Sequence, residues 1–235
     1  MAERFTLHPC PDLATASARL AELVAARLSI VLARQDRATL ALPGGTTPLL
    51  FLDALGRHDL PWNRIVALPG DERFVPPDDL QSNERQIRTH FAPVGDHRCT
   101  FVSLRGRAET PEAAAAQACA DPALARPVDL VICGMGSDGH IASLFPGMPA
   151  LEGVVGTHPA VIATHPSGLA PRLTLSPTAL LGAGWRALLF AGPAKQAVFS
   201  RACRDGPVSE LPVRLLLAGP CEICFGLRDT MAVTS

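Results

Sequence analysis

No stretch of the chain stays apolar for 18 residues, and its opening, MAERFTLHPCPDL, has no basic region followed by an apolar run. The pattern therefore offers neither a membrane-spanning helix nor a secretory leader, and it points to a soluble protein of the cytoplasm. Charge of one sign is missing too: 21 basic and 22 acidic residues leave a net charge of −1. No overall field draws such a chain to nucleic acid or to an anionic membrane, so any anion site has to be local. A disulfide framework is also absent. The seven cysteines (Cys10, Cys99, Cys119, Cys133, Cys203, Cys221, Cys224) are odd in number and scattered, several within apolar runs. That suits reduced, buried thiols. The pair in CEIC, 221–224, has no second Cys or His pair at metal-ligand spacing, and residues three apart on a strand face opposite ways. Neither zinc nor redox chemistry is expected there. Repeats are lacking, as is any linker long enough to separate domains, so residues 1–235 are expected to form a single one. With 48% hydrophobic and 18% charged residues, a chain of this size buries a core without disulfides or a structural metal.

What is present is an alternation. From Leu13 to about Ala33 apolar residues recur at helical spacing among Arg19, Glu22 and Arg27, with Asp12 placed to cap the helix. Ala38 to Leu42 reads as a strand, followed by GGTT and a helix over Pro48–Leu55. Ile65–Leu68 is a strand, 70–81 a polar loop, Ser82–Phe91 a helix and Phe101–Leu104 a short strand. Thr110, Pro111 and Glu112 start a capped helix. Val128–Cys133 reads as a buried strand; Val161–Thr164, Arg172–Leu175, Ala187–Ala191 and Glu222–Phe225 are further strands. Ser176 and Pro177 open one helix, and Gly192–Ala194 open another that carries Lys195. Strands alternating with helices predict an α/β protein with a largely parallel sheet covered on both faces. Ligands bind such sheets beyond the carboxyl ends of their strands.

Three strand-to-helix loops stand out. LPGGTTP, 42–48, combines Gly44 and Gly45, which let backbone approach a ligand, with the hydroxyls of Thr46 and Thr47 and the N–H groups of a helix start. Taken alone, a tight turn is the plainer reading, and no Walker lysine follows. GDERFVP, 70–76, sets Asp71, Glu72 and Arg73 side by side at a strand end, where such a triplet is more often a solvated loop. GMGSDGHIASLFP, 134–146, satisfies G-x-G-x-x-G through Gly134, Gly136 and Gly139. A dinucleotide fingerprint needs an uninterrupted helix and an acid about 20 residues on. Here Pro146, Gly147 and Pro149 break the chain and no acid stands near 158, so the glycines shape a pocket around Asp138 and His140 instead. Arg172 in PRLTLS and Lys195 in AGPAKQ each supply a cation, one as a bidentate fork and the other as a point charge; singly, each reads as a surface charge.

Taken in order from about Leu40 to Leu217, these segments resemble the 6-phosphogluconolactonase family, whose relatives include the glucosamine-6-phosphate deaminases. The resemblance rests on LPGGTTP, Trp62 before a strand, GDERFVPPDD with SN at 82–83, VDLVICGMGSDGHIASLFPG, PRLTLS, GPAKQ and LPVRLLL. It implies a three-layer α/β/α, Rossmann-like single domain with no metal or organic cofactor, a sugar-phosphate lactone as small-molecule partner, and a monomer or weak homo-oligomer. In the deaminases the DGHIA stretch runs on into an asparagine, a glutamate that serves ring opening, and a proline. Here Ser143, Leu144, Phe145 and Pro146 follow, and Phe145 cannot transfer protons. Departures from the lactonase pattern are Pro43 in place of the usual serine and Pro69 where an aromatic is common.

The implied chemistry makes His140 the base that activates water. Arg73, with N–H groups of the 134–139 loop, would stabilise the oxyanion. Asp71 would orient the histidine or bind a sugar hydroxyl, and Asp138 would fix the loop. Gly44, Gly45 and Thr46, with Arg172 and Lys195, would hold the phosphate. A sugar-phosphate sensor lacking catalysis is the non-enzymatic alternative, and one fold filling the chain leaves no room for its output domain.

Overall fold

The computed structural model describes residues 5–152 and 159–229. Its strands are β1 (Thr6–Asp12), β2 (Ala38–Leu42), β3 (Ile65–Pro69), β4 (Asp71–Arg73), β5 (Thr100–Phe101), β6 (Leu130–Gly134), β7 (Val161–Thr164), β8 (Arg172–Leu175), β9 (Trp185–Ala191) and β10 (Glu222–Arg228). The helices are α1 (Leu13–Leu32), α2 (Leu49–Gly56), α3 (Asn83–His90), α4 (Ala92–Gly95), α5 (Pro111–Cys119), α6 (Pro177–Gly182), α7 (Pro193–Ala202) and α8 (Arg214–Leu217).

Local chemistry sets the helix ends. Asp12 caps α1 by accepting from the Thr15 N–H and hydroxyl, both at 2.9 Å. Ala16, Leu20, Val24, Leu28 and Leu32 put one buried stripe along the helix. At its far end the Arg64 guanidinium donates to the carbonyls of Leu32 and Gln35, both at 2.9 Å, which satisfies groups the helix leaves open. Ser82, Thr110 and Ser176 cap α3, α5 and α6 in the same way as Asp12.

Among the described residues seven strands make one sheet, in the order β1-β10-β9-β6-β2-β3-β5, and each neighbouring pair runs parallel. Alternate residues feed two separate cores. Leu40, Leu130, Ile132 and Leu189 pack with α1, α2 and α3, whereas Ala41, Val131, Cys133, Leu188 and Phe190 pack with α5, α6, α7 and α8 on the other face. Period-two alternation with both faces buried is what a parallel sheet between helical layers requires. The fold is therefore three-layered and largely parallel. Cys221 and Cys224 lie in opposite cores, which separates the two thiols of CEIC by the sheet itself.

Two strands stand where the reading of the sequence has none, and β5 covers Thr100–Phe101 where Phe101–Leu104 is expected. β1 lies where no strand is expected, paired with β10 at the sheet edge. β4 interrupts the stretch read as a loop over 70–81: Arg73 pairs with Arg172 of β8, and β8 pairs with β7, making a small antiparallel sheet. Gly70 joins β3 directly to β4, donating to Leu42 O at 2.8 Å and accepting from the Leu175 N–H at 2.9 Å. The small sheet is thereby planted on the carboxyl end of the large one. β2 and β6 are neighbours, yet the chain leaves them toward opposite sides of the sheet, to β3 and β9. That divergence opens a crevice above their carboxyl ends.

Candidate active site

The crevice is a cavity of about 250 Å³, bounded by the 43–48 loop after β2, by Gly70, Asp71, Arg73 and Asn83, by the 132–136 stretch with His140 and Ala142, and by Arg172 and Lys195. Of the residues singled out from sequence, Gly44, Gly45, Thr46, Asp71, Arg73, Gly134, Gly136, His140, Arg172 and Lys195 line it. Asp138 and Gly139 stand behind the lining and shape it.

His140 is set by its own loop. Asp138 Oδ1 accepts from the His140 backbone N–H at 3.1 Å and lies 2.6 Å from ring Nδ1. A carboxylate at that distance accepts a hydrogen bond from Nδ1–H, so the neutral ring keeps its proton on Nδ1 and its lone pair on Nε2. Burial works to raise the Asp138 carboxyl, but the backbone N–H, charge and ring hydrogen bond of His140 outweigh it and hold the group below its ordinary value. The carboxylate engaged with the imidazole is thus Asp138 and not Asp71. Gly136 is glycine for a steric reason: a Cβ there would overlap the His140 ring. Gly139 adopts φ +85°, a Cβ on it would lie 2.7 Å from Leu211, and its carbonyl accepts from Val213 N–H at 3.0 Å. Gly134 has no such crowding, the nearest atom to an added Cβ being 4.0 Å away. After the histidine, Ala142 takes φ +48° in a tight turn closed by Leu144 N–H to Ile141 O at 2.9 Å. A non-glycine there costs about 1 kcal/mol or more, which is strain held at the cavity wall.

Alternation along β4 separates the acidic pair. Asp71 and Arg73 face the cavity, while Glu72 is turned away and only 1% exposed. Asp71 is itself buried, with Oδ2 accepting from Ser143 Oγ at 2.5 Å and Oδ1 from Asn83 Nδ2 at 3.0 Å. Glu72 accepts from the N–H groups of Arg73, Asn83 and Glu84 at 2.7, 2.8 and 2.6 Å, and so caps α3 from outside the helix. Burial pushes its carboxyl up to about 7, against the pull of those three N–H groups and with help from the Asp71 charge.

The cations converge from three elements. Arg73 and Arg172 are cross-strand partners on β4 and β8, an arrangement that like charges disfavour unless an anion joins them. Arg73 donates to Gln81 O at 2.5 Å, and its buried Nε has no partner among the described residues. Burial first, then the Arg73 charge, lowers the pKa of Arg172; Asp71 and Glu72 oppose this. Lys195 sits in the first turn of α7, where the helix dipole repels a cation, and donates to Thr47 Oγ1 at 3.4 Å. Burial lowers its pKa as well, with Asp229 opposing. Gly45, whose φ is +92°, spends its N–H on Gln86 Oε1 at 2.8 Å, and Gly44 packs against the Asn83 amide. The glycine pair therefore closes on α3.

Ser143, Asn83 and Gln86 are the residues that sequence reasoning leaves without a role, while Thr47, read from the sequence as a loop hydroxyl, lines the cavity beside Lys195. Serine and asparagine appear there only as letters of SN and ASLFP, and nothing local shows that both reach Asp71. Phe145 covers the histidine, its ring centroid 4.5 Å from that of His140. Among the described residues no group of three or more His, Cys, Asp or Glu is placed to hold a metal ion, and no helix is long and apolar enough to cross a membrane.

A doubly wound parallel sheet with a histidine–carboxylate pair and converging cations at its switch point defines a Rossmann-like α/β enzyme. Residues 11–223 match the family of glucosamine-6-phosphate isomerases and 6-phosphogluconolactonases, and the chain belongs to that family. It is 40% identical to a 6-phosphogluconolactonase of Rhizobium meliloti (strain 1021), over 87% of this chain and 91% of that protein. A 6-phosphogluconolactonase of Pseudomonas putida is 35% identical over 92% of this chain and 91% of its own length. Among solved structures, a 6-phosphogluconolactonase from Shewanella baltica OS155 is similar with a TM-score of 0.84 at 30% identity, covering 94% of this chain and 97% of that one. The Thermotoga maritima 6-phosphogluconolactonase has a TM-score of 0.80 at 28% identity over 94% and 99%.

Proposed function

We propose that this chain hydrolyses 6-phosphoglucono-1,5-lactone to 6-phosphogluconate, the lactone-opening step of the oxidative pentose phosphate pathway. The observation that carries the reading is one cavity in which His140, backed by Asp138, meets Arg73, Arg172 and Lys195, while Phe145, not an acid, covers the histidine. A base facing a cluster of cations suits water attack on an anionic ester.

In this reading His140 Nε2 takes a proton from water as the water oxygen bonds to C1, and Asp138 stabilises the imidazolium that forms. The former carbonyl oxygen becomes an oxyanion beside Arg73, a contact of about 3 kcal/mol in the transition state. Collapse breaks the bond from C1 to the ring oxygen, which takes the proton back from His140. Asp71, held by Asn83 and Ser143, offers fixed lone pairs to a sugar hydroxyl. Arg172, Lys195 and the threonines of the 43–48 loop hold the phosphate through charge-assisted bonds of about 1.5 to 3 kcal/mol each. The chain works as one domain over 1–235, needs no cofactor, binds neither nucleic acid nor membrane, and acts in the cytoplasm as a monomer or weak homo-oligomer; seven free thiols support that compartment.

The test is acid release from freshly made 6-phosphogluconolactone in a pH-stat, with the spontaneous rate subtracted. Micromolar protein is expected to speed it well above background. An unchanged rate sinks the reading, and ammonia release from glucosamine 6-phosphate would replace it with the deaminase.

A further inference from the structure

The phosphate grip assigned above rests on the 43–48 loop, and the structure shows what holds that loop. α3 touches it at two successive residues: the Asn83 amide lies against Gly44, where a Cβ would overlap it, and Gln86 Oε1 accepts the Gly45 N–H at 2.8 Å. Asn83 and Gln86 are three positions apart, so they share one face of the helix. α3 is in turn pinned to β4, by Glu72 on the N–H groups of Asn83 and Glu84 and by Asn83 Nδ2 on Asp71 O at 2.7 Å. At the other end of the loop Lys195 meets Thr47.

We infer that Gln86 is a positioning residue for phosphate recognition: it holds the Gly45 N–H, fixes the loop in its left-handed turn, and leaves the phosphate to be gripped by Thr46, Thr47, Lys195 and Arg172. Gln86 is outside the cavity lining, so it acts through the loop and not on the ligand. Its chemistry fits that task. The Gly45 N–H needs an acceptor, which leucine lacks. Glutamate would accept the same bond but would set a negative charge beside a phosphate dianion. Glutamine supplies the acceptor without the charge.

This inference rests on the lactonase reading, and its test separates the two. Gln86→Leu is expected to raise KM for 6-phosphogluconolactone about tenfold with kcat within about threefold of wild type, the loss corresponding to one hydrogen bond. Unphosphorylated glucono-1,5-lactone, which makes no use of the loop, should show less than a twofold change in its rate. Gln86→Glu keeps shape and acceptor, and so carries the test if the leucine variant folds poorly. Its KM should rise and then recover as salt screens the new charge. Calorimetric affinity for 6-phosphogluconate should show the same order of variants whether or not the wild type opens the lactone. A Gln86→Leu protein with unchanged or lower KM, or equal losses on both lactones, overturns the inference while leaving the lactonase intact. A Gln86→Glu affinity equal to wild type at low salt overturns it as well.

Discussion

His140 depends on neighbours that are close in sequence but chosen by three-dimensional shape. Gly136 gives it room, and Asp138 fixes which nitrogen is basic. Asp138→Asn would present an amide N–H to Nδ1, drive the ring proton to Nε2 and remove the lone pair needed for water. We expect kcat to fall by about 10²- to 10⁴-fold with little change in KM, measured by background-corrected steady-state kinetics. A variant as fast as wild type would remove Asp138 from the pair. Gly136→Ala should act on the same residue by a different route, because its methyl would occupy the ring position. A drop in kcat of tenfold or more is expected, together with a displaced histidine in a crystal structure of the variant. Much of this was legible, since glycines around a histidine at a strand end mark a shaped pocket. The choice between Asp71 and Asp138 as the ring's partner was not. Asp71 is occupied by Ser143, 72 positions away in sequence, and only folding brings that hydroxyl to the carboxylate.

Elements are legible in the sequence in proportion to how local their causes are. Ala38–Leu42, Val161–Thr164 and Arg172–Leu175 have the limits expected of them because short apolar runs between turn residues define buried strands. β1 has no such local mark: its outer residues are exposed, Pro9 and Pro11 interrupt it, and its partner β10 is more than 200 residues away, as the His8–Glu222 contact spans 214 positions. β4 is three residues long and exists by pairing with β8. The role of Glu72 is equally hidden, since two of its three N–H donors belong to a helix that begins eleven residues later. That role carries a pH signature. Its folded pKa is raised to about 7 from an ordinary 4.5, so the folded state holds the proton more tightly than the unfolded chain. Stability from this group is greatest below about 4.5, falls as pH climbs through the window to about 7, and is level above it. Glu72→Gln carries no such charge and should lack this slope. Urea melts of both proteins between about pH 5 and 8 should show the difference in unfolding free energy moving in favour of the glutamine variant as pH rises. A constant difference across the range would mean that Glu72 does not titrate there.

At the scale of the whole molecule, a net charge of −1 conceals a cavity that collects Arg73, Arg172 and Lys195. Burial lowers the pKa of Arg172 and Lys195, so both are costly to keep charged while the cleft holds no anion. A bound dianion would offset that cost, which makes ligand binding a stability measurement. At a concentration about 100 times Kd, 6-phosphogluconate should stabilise the fold by about 2.7 kcal/mol and raise Tm by roughly 5 to 10 °C for a domain of this size. Gluconate, lacking the phosphate, should shift Tm far less. The two ends of the site then separate. His140→Ala should keep most of the shift while losing kcat, because the base does not hold the phosphate. Lys195→Ala should lose most of the shift and raise KM far more than it lowers kcat. Higher ionic strength should weaken the shift only partly, since half-buried charges are screened less than exposed ones. Should His140→Ala abolish the shift and Lys195→Ala preserve it, the assignment of the two ends would be reversed.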